Sequence, residues 1–189
     1  MSEQETDRYK RNFIVATSVV GGVAAAGVAA PFVVGMLPSE RAKALGAPVE
    51  VDVSKLAAGE MMRVEWRGKP VWIIHRSPEQ IESLKKTDPL VSDPKSERPN
   101  QPAYAKNETR SIKPEYLVAV GICTHLGCSP TEKFATGEAS GVDPSWPGGF
   151  LCPCHGSTFD LAGRVYKSKP APDNLEIPPH MYLSDTKIL

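Results

Sequence analysis

The chain has 189 residues, 41% apolar and 23% charged, enough for one membrane anchor plus one domain of about 140 residues but not for two full enzymes. Its 22 Lys and Arg balance 22 Asp and Glu, which leaves no cationic field to draw nucleic acid and no acidic tail. The 18 prolines and 15 glycines against 7% aromatics describe a turn-rich, mainly β body rather than a helix bundle.

From Phe13 to Leu37 no charged residue occurs, and as a helix this run reaches about 37 Å, enough to cross a hydrocarbon core with some tilt. We read it as one transmembrane helix. A cleaved signal peptide is the alternative, with Ala24, Ala26 and Ala29 as small residues for a cleavage site. Signal cores, however, usually run only about 7 to 15 residues. Arg8, Lys10 and Arg11 precede the span, so the positive-inside rule keeps residues 1–12 cytoplasmic and sends the rest across the membrane. Lys10-Arg11-Asn12-Phe13-Ile14 looks like a weakened twin-arginine export signal. Gly21, Gly22, Gly27 and the alanines give the helix a smooth side for a neighbouring helix, although composition alone would also produce one.

Residues 38–48 combine two prolines, a glycine and mixed charge, the composition of a flexible hinge. The head domain is expected over 49–189. Val49–Val53 alternates, Met61–Trp66 and Val71–His75 flank a turn at Arg67–Pro70, and Tyr116–Ile122 is an apolar run, so the head reads as antiparallel β. Ser77 as N-cap and Pro78 at the first helical position start one short helix, with Ile81 and Leu84 on its buried side and its pattern lost after Lys86. Thr87–Arg110, with four prolines among charges, is too polar for a core and reads as an ordered surface excursion or a partner-contact loop.

All four cysteines fall between Cys123 and Cys154, in Cys123-Thr-His125-Leu-Gly-Cys128 and Cys152-Pro-Cys154-His155-Gly-Ser157. Thiolates and imidazoles at such spacing read as a metal site. Four cysteines can hold an iron-sulfur cluster, but two interleaved histidines fit a centre in which imidazoles replace two thiolates on one iron. A structural zinc site uses the same residue types and leaves two cysteines unexplained. His75 and His180 lie outside both segments and read as structural or exposed. The 26 residues between His125 and Cys152, with Gly141, Pro144, Pro147, Gly148 and Gly149, read as carrying a surplus surface loop.

Both segments resemble the cluster-binding loops of the Rieske iron-sulfur proteins, and more narrowly those of the Rieske subunits of cytochrome bc complexes. The resemblance runs along the whole chain in the order anchor, hinge, head with a cluster-binding subdomain. It implies one 2Fe-2S cluster, with Cys123 and Cys152 on one iron, His125 and His155 on the other, and a disulfide between Cys128 and Cys154. It also implies that Lys169-Pro170-Ala171-Pro172 is the proline-rich loop covering the cluster, that Ser157 donates to a cluster sulfur, and that Leu126 shields the cluster, although ordinary packing would equally explain a leucine there. Such a subunit takes one electron from ubiquinol at a pocket on cytochrome b, with His155 or His125 bonding the quinol, and passes it to cytochrome c1. It sits in a dimeric complex of the bacterial inner membrane with its head in the periplasm, and does not turn over alone. Many respiratory members carry Tyr two positions after the serine, where this chain has Phe159. The small subunit of arsenite oxidase is the nearest alternative; a soluble Rieske ferredoxin and a zinc-stabilised tethered module are weaker ones.

Overall fold

A computed structural model describes residues 3–189; of the expected cytoplasmic segment 1–12, residues 1 and 2 lie outside them. The chain divides into two compact units, one up to Leu45 and one from Gly46. The first holds helix α1 (Glu3–Gly35) and the short helix α2 (Glu40–Leu45). α1 is long and apolar enough to cross a membrane, with a mean hydropathy of 2.0 over its best window. It starts well before Phe13 and ends before Met36, so the helix is longer than the apolar run and shifted toward the N-terminus. The expected hinge is not irregular throughout, because Ser39 accepts the Ala42 amide on its hydroxyl at 3.2 Å and opens α2.

In the second unit β2 (Met61–Trp66), β3 (Lys69–His75) and β4 (Tyr116–Val120) form an antiparallel sheet with β3 in the middle. Trp66 pairs with Lys69, so the connecting turn is Arg67-Gly68 alone and Lys69-Pro70 belongs to the strand. Both turn residues have positive φ, 53° and 71°, as a two-residue hairpin requires. Val71 and Ile73 of β3 face a small sheet of β1 (Val51–Asp52) and β8 (Lys187–Ile188), whereas Trp72 and Ile74 face the cysteines. Burial on both faces explains why β3 and β4 read as continuous apolar runs rather than alternating ones. Strand pairing in β1 covers only Val51 and Asp52 of the expected Val49–Val53.

Helix α3 (Pro78–Thr87) begins as expected at Ser77, and Gln80 completes a reciprocal capping box. The 87–110 excursion corrects the expectation drawn from its polarity. Val91, Ala105 and Arg110 in it are fully buried, and most of the hydrogen-bonding capacity of the Arg110 guanidinium is met inside the domain. Arg110 donates to the carbonyls of Ala162, Gly163 and Leu175 and to Gln101 Oε1. Arg76 donates to the carbonyls of Thr109 and Leu161 and to Ser111 Oγ. Burial pulls both guanidinium pKa values down to about 10, still charged at neutral pH.

A third antiparallel sheet, β5 (Thr131–Lys133), β6 (Gly149–Leu151) and β7 (Thr158–Phe159), carries the second cysteine segment. The stretch between the two segments is therefore not merely surplus: its two ends are strands, and the Trp146 indole donates to Lys133 O at 2.8 Å.

Candidate metal centre

The two cysteine segments follow β4 and β6 and have the same backbone plan. The Cys123 amide donates to Cys128 O and the Gly127 amide to Cys123 O, at 2.8 and 3.1 Å. The Cys152 amide donates to Ser157 O and the Gly156 amide to Cys152 O, at 2.8 and 3.0 Å. Gly127 and Gly156 occupy equivalent positions with φ of 84° and 73°, a conformation that favours glycine. The likeness between the segments thus extends beyond the ligand chemistry visible in the sequence.

These two loops bring all eight expected site residues to one end of the domain. Cys128 and Cys154 are joined by a disulfide that ties loop to loop. Cys123 and Cys152 are free thiols and buried. The sulfurs of Cys128, Cys152 and Cys154 lie within 4.8 Å of one another, but two of them are bonded together, so of these three only Cys152 offers a thiolate. The His125 and His155 rings stand edge to face with centroids 4.7 Å apart. His155 is exposed and His125 half-buried. Leu126 is 71% exposed, which rules out ordinary packing within this chain.

Ser157 is buried, and its hydroxyl accepts the Ala171 amide at 3.0 Å, leaving its own proton to donate. Burial raises the Cys123 thiol pKa and neighbouring Cys152 adds to the rise, while a backbone amide at His125 and the Ser157 hydroxyl pull the other way. Ala171 sits in the expected Lys169–Pro172 loop, so that loop is pinned to the second cysteine segment. Thr124 Oγ1 donates to Asp173 O at 2.6 Å and pins it to the first. Thr124 was not singled out in the sequence; it becomes legible only once the proline-rich loop is placed beside it.

The donor set fits a mixed thiolate and imidazole centre. His125 Nδ1 is buried without a hydrogen-bond partner, a costly arrangement for an imidazole unless a metal takes that nitrogen. Two buried free thiols beside it complete a two-cysteine, two-histidine set.

Residues 48–179 match the family model described as the Rieske [2Fe-2S] domain. The curated protein named ubiquinol-cytochrome c reductase iron-sulfur subunit from Allochromatium vinosum is 60% identical, over 100% of this chain and 91% of its own length. The chain belongs to the Rieske iron-sulfur family. A second protein of that name, from Blastochloris viridis, is 40% identical to this Rieske protein over 99% of this chain and 95% of its own. A chain of a solved structure titled "Hyperthermophilic respiratory Complex III" is 28% identical, with a TM-score of 0.49, over 93% of this chain and 98% of that one. The cofactor of this Rieske protein is a 2Fe-2S cluster.

The disulfide closes a loop of 26 residues. In a chain-entropy account its loss costs about 3 kcal/mol. A Cys128→Ser, Cys154→Ser variant of the Rieske protein is therefore expected to melt about 10 °C lower by circular dichroism. An unchanged melting temperature would show that the Ser157 and Thr124 bonds alone hold the loops.

Proposed function

We propose that this chain is the electron-transfer subunit of a membrane-bound quinol-cytochrome c oxidoreductase. It takes one electron from quinol at a cytochrome b pocket and delivers it to cytochrome c1, within a dimeric complex. The observation that carries the reading is the exposed His155 imidazole set edge to face against His125, whose chain neighbour Leu126 is also exposed, in the same two loops that bury two free thiols. When bound, the 2Fe-2S cluster supplies a one-electron acceptor whose potential is raised because two neutral imidazoles replace two anionic thiolates.

Cys123 and Cys152 hold one iron in this reading and His125 and His155 the other. Imidazole ligation leaves one ring nitrogen of each histidine able to exchange a proton with a bound hydroxyl. His155 presents that nitrogen to a quinol, and exposed Leu126, next in the chain to His125, excludes water from the contact. Cys128 and Cys154 keep the two loops in register while partners dock and leave. α1 anchors the chain in a bacterial inner membrane with its head on the periplasmic side. Residues 38–48 let the head commute, α2 acting as a stiff link between two short pivots.

The arsenite-oxidase alternative has less support, since the full-length relatives at 60% and 40% identity carry the quinol enzyme's name. Paramagnetic resonance of the dithionite-reduced, membrane-bound protein tests the choice. A rhombic Rieske signal that shifts when an inhibitor fills the quinol pocket is expected. The same signal indifferent to the inhibitor would defeat the proposal.

Phe159 is fully buried in the cluster of apolar side chains that also contains Cys123 and Cys152. Phe159→Tyr places a hydroxyl there, and the family resemblance makes a ligand sulfur its acceptor. A hydrogen bond favouring the more negative reduced form by about 1 kcal/mol raises a one-electron potential by about 40 mV. Protein-film voltammetry reads this directly, and a midpoint that stays put or falls would refute it.

A further inference from the structure

The face of the β2–β3–β4 sheet that looks away from the cysteines is not completely closed. An open cavity of about 430 Å³ lies there. Val64, Val71, Ile73 and Val118 line it from the sheet, and Val51 and Ile188 from the β1–β8 pair. Trp66 and Arg67 stand on its rim with Tyr104 and His180.

Of these rim groups, Tyr104 and His180 are engaged in hydrogen bonds. The Tyr104 hydroxyl accepts the His180 amide at 2.7 Å, and His180 Nδ1 lies 2.9 Å from Pro178 O. Nearby Lys69 and Lys187 are paired with Glu176 and Glu50. The Arg67 guanidinium lies 4.5 Å from the Trp66 ring centroid, and among the described residues no carboxylate pairs with it.

We propose that this cavity binds an acyl chain of an anionic membrane phospholipid, with its phosphate on Arg67. The volume falls within the range of small-molecule pockets, and the lining suits hydrocarbon. The single unpaired cation on the rim calls for one anionic end, and a guanidinium matches phosphate oxygens in a two-bonded fork. Reach decides the source. Ten residues separate Gly35, the end of α1, from Gly46 on the cavity lining, a chain length of at most about 40 Å. A ligand drawn from the bilayer is therefore always near. The inference rests on the anchoring reading above.

The test uses the full-length chain reconstituted in phosphatidylcholine vesicles containing phosphatidylglycerol, with bromine on the acyl chains of one lipid at a time. Bromine quenches tryptophan on contact. The chain has three tryptophans, none in the anchor, and Trp72 and Trp146 are buried. Brominated phosphatidylglycerol is expected to quench several-fold more than brominated phosphatidylcholine, and Trp66→Phe to remove that quenching. Arg67→Asn, which suits the positive φ of the turn, is expected to make the two lipids equal. Val118→Phe, which fills the cavity, is expected to abolish quenching while vesicle flotation persists.

Equal quenching by both lipids in the unaltered chain would overturn the proposal, as would quenching that survives Trp66→Phe. Quenching by a brominated fatty acid added from solution, with none from phosphatidylglycerol, would also overturn it. Flotation separates the two readings: a chain that fails to float defeats anchoring and cavity together, whereas one that floats without selective quenching defeats the cavity alone.

Discussion

Arg164→Met should lower the melting temperature of the head domain by about 10 to 15 °C, corresponding to a loss of about 3 to 5 kcal/mol. Arg164 is fully buried, and every nitrogen of its guanidinium is used. Nε donates to Asp160 Oδ2 at 2.8 Å, and Nη1 to Asp88 Oδ1 at 2.6 Å and to Pro94 O at 3.1 Å. Nη2 donates to Leu84 O at 2.8 Å and to Thr87 Oγ1 at 2.9 Å. Burial penalises the charge, but Asp160 and then Asp88 more than offset that, so the guanidinium pKa lies above its ordinary value. Methionine fills similar space but leaves Asp160 buried at 1% exposure without its cation, and an uncompensated buried carboxylate is the costly part. Arg164→Lys should recover only a fraction, because one ammonium cannot reach all the acceptors arranged around a planar fork of donors. Thermal denaturation of both variants decides the matter. A methionine variant within about 1 kcal/mol of the parent would mean that the network positions the loops without stabilising them.

Gly149→Ala is expected to be nearly as severe and to act on the metal centre as well. A Cβ on Gly149 would fall 2.1 Å from Phe159 O and 3.0 Å from Trp146 Cζ2. The first is main chain of the paired strand β7, which cannot swing aside like a side-chain tip. The φ of 151° adds backbone strain for any L side chain. Strain and overpacking together cost about 2 to 5 kcal/mol. Because β6 runs directly into Cys152, a wider β6–β7 spacing displaces that thiol relative to Cys123. The expected result is a lower melting temperature together with loss of the visible iron-sulfur absorbance during purification. Full retention of that absorbance would show that the Cys152 loop tolerates movement of its strand.

How legible these features were follows from their physics. The cysteines and histidines of the two segments and the anchor stood out because their signals are local: fixed short spacings in two segments, and one uncharged run. The β2–β3 hairpin and the Ser77 cap were legible for the same reason. The 87–110 excursion was misjudged because its buried polar groups, Arg110, Asp93, Ser96 and Gln101 among them, look solvated in a sequence. Only partners such as the carbonyls of Ala162, Gly163 and Leu175, tens of residues away, offset the burial of Arg110. Gly148 and Gly149 looked like loop residues, since close approach of another strand leaves no mark on a glycine's neighbours. α2 was hidden in a short stretch bounded by Pro38 and Pro48, where composition outweighed one serine cap.

The middle strand β3 turns Trp72 and Ile74 toward the cysteines and Val71 and Ile73 toward the opposite side. One strand is thus the party wall of both halves of the head. Grafting the metal-bearing half of a relative onto this base, or the reverse, splits the packing of that strand between two ancestries. Substitutions there have to satisfy both rooms at once, so a working hybrid needs its junctions outside β3 and both linings taken from the same parent.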